Sequence, residues 1–556
     1  MYRNVEERFV PDTLPDLVFA NEHTNYVHNT PVFNAAYELL DRGIEEHGWG
    51  DRPAVTSLET DETISYRELQ TRVNRFAAAL KSLGVEPGDR VFWRFPEVPE
   101  AYITQLATWK IGAITVPSIM QERSREISYY LRDTEATVVV TSDEEFEHIE
   151  TALEDAPSVT DVVVTGNTET YHSFSSLLEE HDEFEGYEPT EPLDVASIYY
   201  TGGTTGVPKG CMHSHAEEIA HFDIDSGQGR AIKPDDVVFC PVPMGHAFGN
   251  DERHSPLRFG ANVVLKRRPS PLEILEIIEA HDVTVFACIG THLKMLMNRC
   301  DPTEYDLSSI RQFVCVGQAA TPGTFERWHD LTGIEPVNGF GMTPIRGYFA
   351  TAARGGEQIA PRFSLGKPYH SYELKLVDPE NPEREVDRNE PGRPAIRGPI
   401  GIAYWQNIHP DMPERQQKDV RDGWSFIDDM FRMDENGYIW YLNRLDNMIS
   451  SSGRQIAPGE VEDVLSQHDL VESVAVLGKP HDERGEIVKA FVATTKPVDD
   501  DFEQELQEFA KENMTPYKYP REVEVLEEIP TDNVGKIRYG DLESRIKEEL
   551  SSTNHE

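Results

Sequence analysis

The stretch YYTGGTTGVPKGCMHSH, from Tyr199 to His215, contains four glycines, three threonines and one lysine within seventeen residues. It continues the apolar run ASIYY, which predicts a strand that leads into a glycine-rich turn. Successive backbone N–H groups in such a turn form a concave anion site. The threonine hydroxyls and the charge of Lys209 add donors, which suits a polyphosphate better than a lone carboxylate. The stretch therefore predicts a phosphate-binding loop, and a mobile surface loop is the alternative.

This loop differs from a Walker A loop in its spacing. Val207 and Pro208 separate Gly206 from Lys209, and no Ser or Thr follows the lysine. The pattern therefore indicates phosphate binding without indicating a P-loop NTPase.

Short β-branched runs alternate with helix-like stretches on both sides of the loop. The runs are RVFWRF, TVVVT and DVVVT before it, and VVFC, NVVL and VTVFACI after it. Upstream, Ser65 and Glu68 form a possible capping box for a helix whose apolar residues, from Leu69 to Leu83, share one face. The alternation predicts βαβ units and parallel sheets that are buried on both faces.

A second organisation begins after about Arg444. The remaining residues predict the order helix, strand, strand, helix, strand, helix, preceded by the segment NRLDNMISSSGRQIAPGE, which suits a flexible joint. The predicted fold class is α/β, with a large N-terminal domain of parallel-rich sheets and flanking helices over residues 1–444. A small C-terminal α+β domain is predicted over residues 445–556.

The charge balance excludes some partners. Asp and Glu total 99 against 52 Lys and Arg, a net charge of −47, and only 16 of the basic residues are lysine. Nucleic acid and anionic membranes are poor partners for such a chain. Dispersed acid with scarce lysine predicts adaptation to high salt, where a Debye length of roughly 3 Å at 1 M screens self-repulsion. An ordinary acidic enzyme is the alternative.

The five cysteines indicate a reducing compartment. They are odd in number and lack C-x-x-C spacing, so neither a disulfide framework nor a zinc site is predicted. The first residues, MYRNVEERFVPD, contain no apolar core of a signal peptide, and no run of 18 apolar residues occurs. We expect a cytoplasmic protein without a membrane span.

The loop and four later segments resemble the signatures of the acyl-adenylate-forming superfamily of AMP-dependent synthetases and ligases. YYTGGTTGVPKG resembles its phosphate-binding signature, and NGFGMT is similar to the segment that stacks on adenine and closes the acyl pocket. GWSFIDDMFRMDENGY matches the segment with the ribose-binding aspartate, RLDNMISSSGRQIAPGEVE the hinge and NVGKIR the terminal motif. Within the superfamily, the chain is most similar to benzoate- and aminobenzoate-CoA ligases and to medium-chain acyl-CoA ligases. That similarity is carried by NAAYELLDRGIEEHGWGDRPAV, KGCMHSH, VRDGW, RGEIVKAFV and TPYKYPREVEVLEEIP.

The resemblance implies a role for each motif residue. Lys536 would reach between the carboxylate and the α-phosphate and is the first candidate for catalysis. His246, in PMGHAFG, would orient the carboxylate or act as a gate, and a packed structural histidine is the alternative. The residues that would hold the ATP phosphates are Thr201, Gly202, Gly203, Thr204, Thr205, Gly206 and Lys209. The residues that would line the adenine and ribose pocket are Gln318, Ala319, Asn338, Gly339, Phe340, Gly341, Met342, Thr343, Asp429 and Arg444.

The family alternates between two half-reactions by rotating its small domain, which implies a hinge at Asp446. Rotation would withdraw Lys536 and bring Ser452 and Gly453 to the site. The implied cofactors are ATP, Mg²⁺ and coenzyme A, and the implied partner is a small aromatic or medium-chain carboxylic acid. We expect a monomer or a homodimer.

Three departures from the family pattern concern the magnesium geometry. Pro344 stands where the family has a glutamate, Ile427 and Asp428 replace a Thr-Gly pair, and Gln318 stands at a position that is often glycine. The metal ligands are therefore unassigned, and three explanations stay open. Another acid such as Asp428 compensates, ATP alone carries the magnesium, or adenylation is impaired.

Three histidines near the loop, His213, His215 and His221, could suggest a metal cluster. They lack accompanying carboxylate spacing and are interpreted as helix-surface residues.

The leading functional prediction is an ATP-dependent aryl-CoA ligase acting on benzoate or on a hydroxy- or aminobenzoate. A medium-chain acyl-CoA ligase is the alternative within the same chemistry. A nucleotide- or acyl-adenylate-binding protein with little activity is the alternative from another class.

Overall fold

The computed structural model describes residues 3–17, 32–166, 168–201, 207–316, 322–347, 349–451, 454–481, 484–499, 501–531 and 537–553. The α-helices in these ranges are α1 (Arg42–His47), α2 (Tyr66–Ser82), α3 (Pro99–Lys110), α4 (Ser124–Thr134), α5 (Glu147–Leu153), α6 (Phe174–Glu180), α7 (His215–His221), α8 (Ala247–His254), α9 (Pro271–Ala280), α10 (Gly290–Arg299), α11 (Pro322–Thr332), α12 (Met412–Asp419), α13 (Pro458–Leu465), α14 (Phe502–Asn513) and α15 (Tyr539–Thr553). A π-helical segment, Phe222–Gly229, continues α7.

The strands follow in chain order. Those of the first half are β1 (Pro53–Ser57), β2 (Glu62–Ser65), β3 (Arg90–Arg94), β4 (Ile114–Ser118), β5 (Val138–Ser142), β6 (Asp161–Thr165), β7 (His172–Ser173), β8 (Val195–Thr201), β9 (Lys209–Ser214), β10 (Val237–Phe239), β11 (Asn262–Leu265), β12 (Val285–Ile289), β13 (Gln312–Val316) and β14 (Pro336–Gly339). Those that follow are β15 (Ala350–Thr351), β16 (Ala353–Arg354), β17 (Glu357–Gln358), β18 (Lys367–Pro368), β19 (Glu373–Val377), β20 (Pro391–Arg397), β21 (Val420–Arg421), β22 (Trp424–Phe426), β23 (Asp429–Met433) and β24 (Ile439–Arg444). The last are β25 (Ile449–Ser451), β26 (Arg454–Ile456), β27 (Val471–His481), β28 (Gly485–Thr494) and β29 (Glu522–Leu526).

Two seven-stranded sheets dominate the larger part of the molecule, in the orders β7-β6-β5-β3-β4-β8-β9 and β14-β13-β12-β10-β11-β1-β2. Neighbouring strands are parallel except for the pairs β8–β9 and β1–β2 at the edges. Every β-branched run that predicted a strand forms one in these sheets. The predicted α/β class with parallel-rich sheets is confirmed.

The central strands of these sheets are buried over most of their length. All residues of β4, β5 and β13 are buried, as expected for parallel strands covered on both sides. Helix α2 begins as predicted, because Ser65 Oγ accepts a hydrogen bond from the backbone N–H of Glu68 at 3.2 Å. Its apolar residues Leu69, Val73, Phe76 and Leu80 are fully buried.

The later strands form two smaller sheets. Strands β19 to β24 form a six-stranded sheet, and β25 to β29 form a five-stranded one in which β29 runs parallel to β28. After β24 and the short strands β25 and β26, the order is α13, β27, β28, α14, β29 and α15. The α+β organisation predicted after Arg444 is therefore confirmed. Among the helices in the described ranges, none combines the length and the apolar character needed to cross a bilayer.

Candidate active site

The predicted phosphate loop connects β8 to β9. Thr201 and Lys209 are cross-strand partners at the open end of this antiparallel pair. The loop residues Gly202 to Gly206 lie outside the described residues. Lys209 is half-buried, and both burial and the nearby charge of Arg415 lower the pKa of its ammonium group. The two anchor residues of the loop therefore lie side by side at one edge of the sheet.

The segment before α12 packs along β9. The N–H of Trp405 donates to the carbonyl of Gly210, and the N–H of Met212 donates to the carbonyl of Ala403, both at 2.8 Å. This pairing brings α12 beside the base of the loop. The positive charge of Arg415, in α12, accordingly helps to lower the pKa of Lys209.

Asp428 is bound by two arginines. Its carboxylate accepts from Arg393 at 2.8 Å and from Arg415 at 2.6 Å. Burial alone would raise the pKa of Asp428, but the charges of Arg415 and Arg393 outweigh it and lower that pKa. Both oxygens already bind guanidinium groups, so this carboxylate does not fit the role of a compensating magnesium ligand.

Pro344 lies in a buried 3₁₀ turn, Thr343–Ile345, directly after the GFGM segment. It offers no oxygen from its side chain at that corner. In the described part of the chain, no three His, Cys, Asp or Glu side chains are grouped so that they could share a metal ion. A magnesium ion held with ATP needs only one or two carboxylates beside the phosphates, so its protein ligand stays unassigned.

Phe340 and Asp429 are brought together by a residue that sequence reasoning missed. The ring of Phe340 stacks on the ring of Tyr441, with centroids 5.6 Å apart and an interplanar angle of 28°. The Tyr441 hydroxyl donates to Asp429 Oδ1 at 3.3 Å. Burial, and next the charge of Asp429, raise the pKa of Tyr441 well above its usual value, so the hydroxyl stays protonated. Tyr441 thus links the predicted adenine-stacking ring to the predicted ribose-binding carboxylate.

Arg444 completes this corner, because it is the cross-strand partner of Asp429 in the β23–β24 pair. Asn338 and Gly339 end β14, and Asn338 Nδ2 donates to the carbonyl of Phe363 at 2.8 Å. Gly341 is exposed and Met342 is half-buried. Phe340, Asp429 and Arg444 therefore form one compact group, while Gln318 and Ala319 lie outside the described residues.

The histidines near the loop are buried, so the prediction that they lie on a helix surface is wrong. His213 is in β9, where its Nε2 lies 3.0 Å from the carbonyl of Thr343. His215 accepts at Nδ1 from the N–H of Ala35 at 3.1 Å, and burial lowers its pKa to about 3. His221 Nε2 lies 3.2 Å from Asp251. His213 and His215 are neutral packing groups, and His213 ties β9 to the GFGMT segment.

A second unpredicted residue, Arg346, lies two positions after Pro344. It is fully buried and pairs with Glu218 at 2.6 Å and with Asp251 at 2.8 Å. Its guanidinium also lies over the ring of Tyr199, 4.1 Å from the centroid. Its backbone φ is +60°, an unfavourable conformation for a residue with a side chain. The buried guanidinium of Arg346 therefore lies close to Pro344, the position where the family has a glutamate.

His246 is exposed at the N-terminus of α8. Its Nδ1 accepts a hydrogen bond from the N–H of Phe248 at 3.3 Å, so it caps the helix. This position does not match the alternative of a packed core histidine.

The remaining predicted residues belong to the C-terminal part. Ser452, Gly453 and Lys536 lie outside the described residues. Asp446 is in a 3₁₀ turn, Leu445–Asn447, directly after β24. In α13, Glu462 accepts from the N–H of Val476 at 2.9 Å, and burial raises the pKa of this carboxyl to about 7.

One cavity of the described structure is lined by none of these residues. It measures about 430 Å³ and lies between α2, α3 and residues 183–187, next to the buried ion pair of Lys110 and Asp41. None of the predicted site residues lines it, although Tyr37, Asp41 and Glu45 of the segment NAAYELLDRGIEEHGWGDRPAV do.

Comparison with known proteins identifies the family of this chain. Residues 44–405 match the AMP-binding enzyme model, and residues 460–536 match the AMP-binding enzyme C-terminal domain. The chain belongs to the AMP-binding enzyme family. The predicted superfamily and the prediction of an acid–thiol ligase are confirmed at this level.

Individual relatives in this family are acyl- and aryl-CoA ligases. Human mitochondrial acyl-coenzyme A synthetase ACSM4 is 30% identical over 91% of this chain and 89% of its own length. The 3-hydroxybenzoate–CoA ligase of Aromatoleum sp. (strain CIB) is 28% identical over 93% of this chain and 97% of its own. The crystal structure of the anthranilate CoA ligase AuaEII in complex with anthranoyl-AMP matches with a TM-score of 0.87 at 27% identity, over 94% of this chain and 99% of that chain. A benzoate CoA ligase from Burkholderia xenovorans LB400 matches with a TM-score of 0.80 at 26% identity, over 92% of this chain and 100% of that chain.

Proposed function

We propose that the chain is an ATP-dependent aryl-CoA ligase. It adenylates benzoate or a hydroxy- or aminobenzoate with release of pyrophosphate, and then transfers the acyl group to coenzyme A with release of AMP. The main support is its likeness, over 94% of the chain, to an anthranilate CoA ligase that holds the corresponding acyl-adenylate. The corner formed by Phe340, Tyr441, Asp429 and Arg444 is consistent with a nucleotide pocket.

The first half-reaction needs fixed positive charge and donors. A carboxylate is a poor electrophile at neutral pH, and its attack on the α-phosphate of ATP develops charge that must be met by preorganised groups. We assign the loop from Thr201 to Gly206 and Lys209 to the β- and γ-phosphates, and Lys536 to the reacting carboxylate and α-phosphate. His246, exposed at a helix N-terminus, would contact the acid as it enters.

The nucleotide is assigned to the opposite wall of the site. The Phe340 ring, braced by Tyr441, would stack on adenine. Asp429 would accept hydrogen bonds from the ribose hydroxyls, and Arg444 would add a donor beside it. The segment from Asn338 to Thr343, with Gln318 and Ala319, would line the base pocket.

The second half-reaction requires the C-terminal part to move. We propose domains at residues 1–444 and 445–556 that rotate about Asp446, so that Lys536 withdraws and Ser452 and Gly453 approach the site. Motions of this kind commonly limit turnover in such enzymes.

Magnesium is proposed to enter as its complex with ATP, because Mg²⁺ is held largely by substrate phosphates and Pro344 stands where the family has a carboxylate. When bound, the ion would neutralise phosphate charge. The protein's own contribution at that position would come from Lys209 and the loop amides.

Specific observations support two alternative functions. The likeness to the acyl-coenzyme A synthetase ACSM4 over 91% of the chain supports an acyl-CoA ligase, for which the resemblance of the sequence implies a medium-chain acid. Pro344 supports a nucleotide-binding protein with little activity, because the family's carboxylate is missing there.

We also propose a cytoplasmic location in a high-salt cell, in keeping with five free cysteines and the net charge of −47. A monomer or homodimer stays a prediction.

The test is product formation in molar KCl from ATP, Mg²⁺, coenzyme A and a panel of acids, with the thioester identified by mass spectrometry. An aroyl-CoA product supports the proposal, and a product from medium-chain acids alone supports the first alternative. ATP binding without any product supports the second. Lys536→Ala should abolish adenylate formation and leave thioester formation from synthetic acyl-AMP nearly intact, and equal loss of both steps would contradict the role assigned to Lys536.

A further inference from the structure

A narrow cavity of about 20 Å³ begins at the motif residue Asn338. It is bounded by Val314 of β13, by Thr351 of β15, and by Asp225 and Arg230 from the segment that continues α7. Among its lining residues, Asn338 belongs to the segment Asn338–Thr343 that also contains Phe340. A ligand group that widened and filled it would contact both apolar strand residues and a charged pair.

The charged pair belongs to a buried triad. Arg230 pairs with Asp225 through one guanidinium nitrogen and with Glu252 of α8 through the other, and it also donates to Ser226 Oγ at 2.9 Å. Asp225 is 7% exposed and Glu252 is fully buried. Asp225 lines the cavity, whereas Glu252 lies on the other side of Arg230 and does not. Burial raises the pKa of Glu252 to about 7, so the triad is close to neutral below that pH and carries one net negative charge above it.

Asp225 retains an unused acceptor. Its Oδ2 binds Arg230, and its Oδ1 accepts no hydrogen bond from any residue within the described ranges. An apolar acyl group packed against it would bury this oxygen without a donor, which is costly. A hydroxyl or amino group would satisfy it. A second carboxylate on the substrate would lie against the Asp225 carboxylate and be repelled.

We propose that Asp225 selects acids whose ring carries a hydroxyl or amino hydrogen-bond donor. Unsubstituted benzoate and medium-chain fatty acids are poor substrates because they leave this oxygen without a donor, and dicarboxylic acids are poor substrates because their second carboxylate is repelled. This inference rests on the proposed acyl-CoA ligase function and names the substituent that its acyl pocket recognises.

The test compares kcat/KM for AMP formation with 3-hydroxybenzoate, 4-hydroxybenzoate, 2-aminobenzoate, benzoate, hexanoate and phthalate. A site built to accept a hydrogen bond from a substrate hydroxyl or amino group rejects an analogue that lacks this group. We therefore expect kcat/KM for the best donor-substituted acid to exceed kcat/KM for benzoate by about 100-fold or more. Asp225→Asn would turn its amide oxygen toward Arg230 and present an N–H to the cavity. That variant should therefore reduce the ratio of the donor-substituted acid to benzoate at least about tenfold.

Glu252→Gln is the matched control. It removes the same charge beside Arg230 without changing the cavity wall, so the substrate ratio should stay within about threefold of the parent. Equal kcat/KM for benzoate and the substituted acids in the parent chain would overturn the inference while leaving the ligase function intact. Identical ratios in the two variants would also overturn it. Turnover of no acid at all would contradict the proposed function and this inference with it. If Asp225→Asn does not fold by its thermal melt, the ratio in the parent chain decides.

Discussion

Replacing Tyr441 by Phe would separate the two contacts that this side chain makes in the candidate nucleotide pocket. The hydroxyl donates to Asp429 Oδ1 at 3.3 Å, and the ring stacks on Phe340 with centroids 5.6 Å apart. Phe keeps the ring and removes the hydrogen bond. The orientation of Asp429 toward the ribose would then depend on its remaining neighbours alone.

The expected loss follows from the geometry. A hydrogen bond to a charged group contributes about 1.5–3 kcal/mol, but 3.3 Å is long for an O–H donor, so we assign about 1 kcal/mol. This corresponds to a rise of about fivefold in the KM for ATP. Tyr441→Leu also loses the aromatic contact, worth about 1 kcal/mol more, so its KM for ATP should rise about 30-fold.

The assay is pyrophosphate release with either ATP or the acid varied. Tyr438→Phe is the matched control, because its hydroxyl donates to the carbonyl of Ile359 at 3.2 Å and makes no contact with Asp429. The control should leave both KM values unchanged. An unchanged KM for ATP in Tyr441→Phe, or a rise in the KM for the acid instead, would refute the assignment of this corner to the nucleotide.

Four further predictions test stability and metal use. Arg346→Met should lower the free energy of unfolding by about 3–5 kcal/mol, because Glu218 and Asp251 would stay buried without their cation; a urea midpoint close to the parent's would contradict this. Burial raises the pKa of Glu462 from 4.5 to about 7. Between these two values the folded chain retains a proton that the unfolded chain loses, so this group lowers the free energy of unfolding as the pH rises. Glu462→Gln should therefore gain about 3 kcal/mol over the parent at pH 8 and little at pH 4, and a parallel pH dependence of the two chains would argue against it. Pro344→Glu restores a carboxylate beside Thr343 and should lower the Mg²⁺ concentration for half-maximal activity, whereas an identical titration would show that this corner holds no metal. The thermal midpoint should rise between 0.1 M and 3 M KCl because of the net charge of −47, and a fall would count against adaptation to salt.

Much of the fold is readable in the sequence because its signals are local. A run such as TVVVT has no polar residue inside it and forms β5, a strand buried along its whole length. Ser65 and Glu68 mark the start of α2 because capping involves residues three positions apart. The alternation of such runs with helices was sufficient to predict parallel sheets.

The histidines show where local signals fail. HSHAEEIAH has six polar residues among nine and is typical of an exposed helix, yet α7 is buried. Its charged residues pair with partners distant in sequence, as Glu218 does with Arg346. Sequence periodicity has no means of detecting a polar helix that is buried by ion pairs to other elements.

Some residues of the candidate site are likewise detectable in the sequence, and others are not. Phe340 and Asp429 lie in recognisable motifs, but Tyr441 is defined as a site residue only by its contacts with both of them. Asp225 likewise is a candidate specificity residue because it lines a cavity formed by residues from separate strands. The aromatic residue three positions before Arg444 was a weak signal on its own, because an aromatic residue in a strand is usually a packing residue.

The most direct test of the central claim is carboxylate-dependent ATP–pyrophosphate exchange in molar KCl with Mg²⁺, measured across aromatic and medium-chain acids. We predict exchange that depends on a hydroxy- or aminobenzoate and is weak with hexanoate. No exchange with any acid, in a preparation shown separately to bind ATP, would contradict the assignment of this chain as an aryl-CoA ligase.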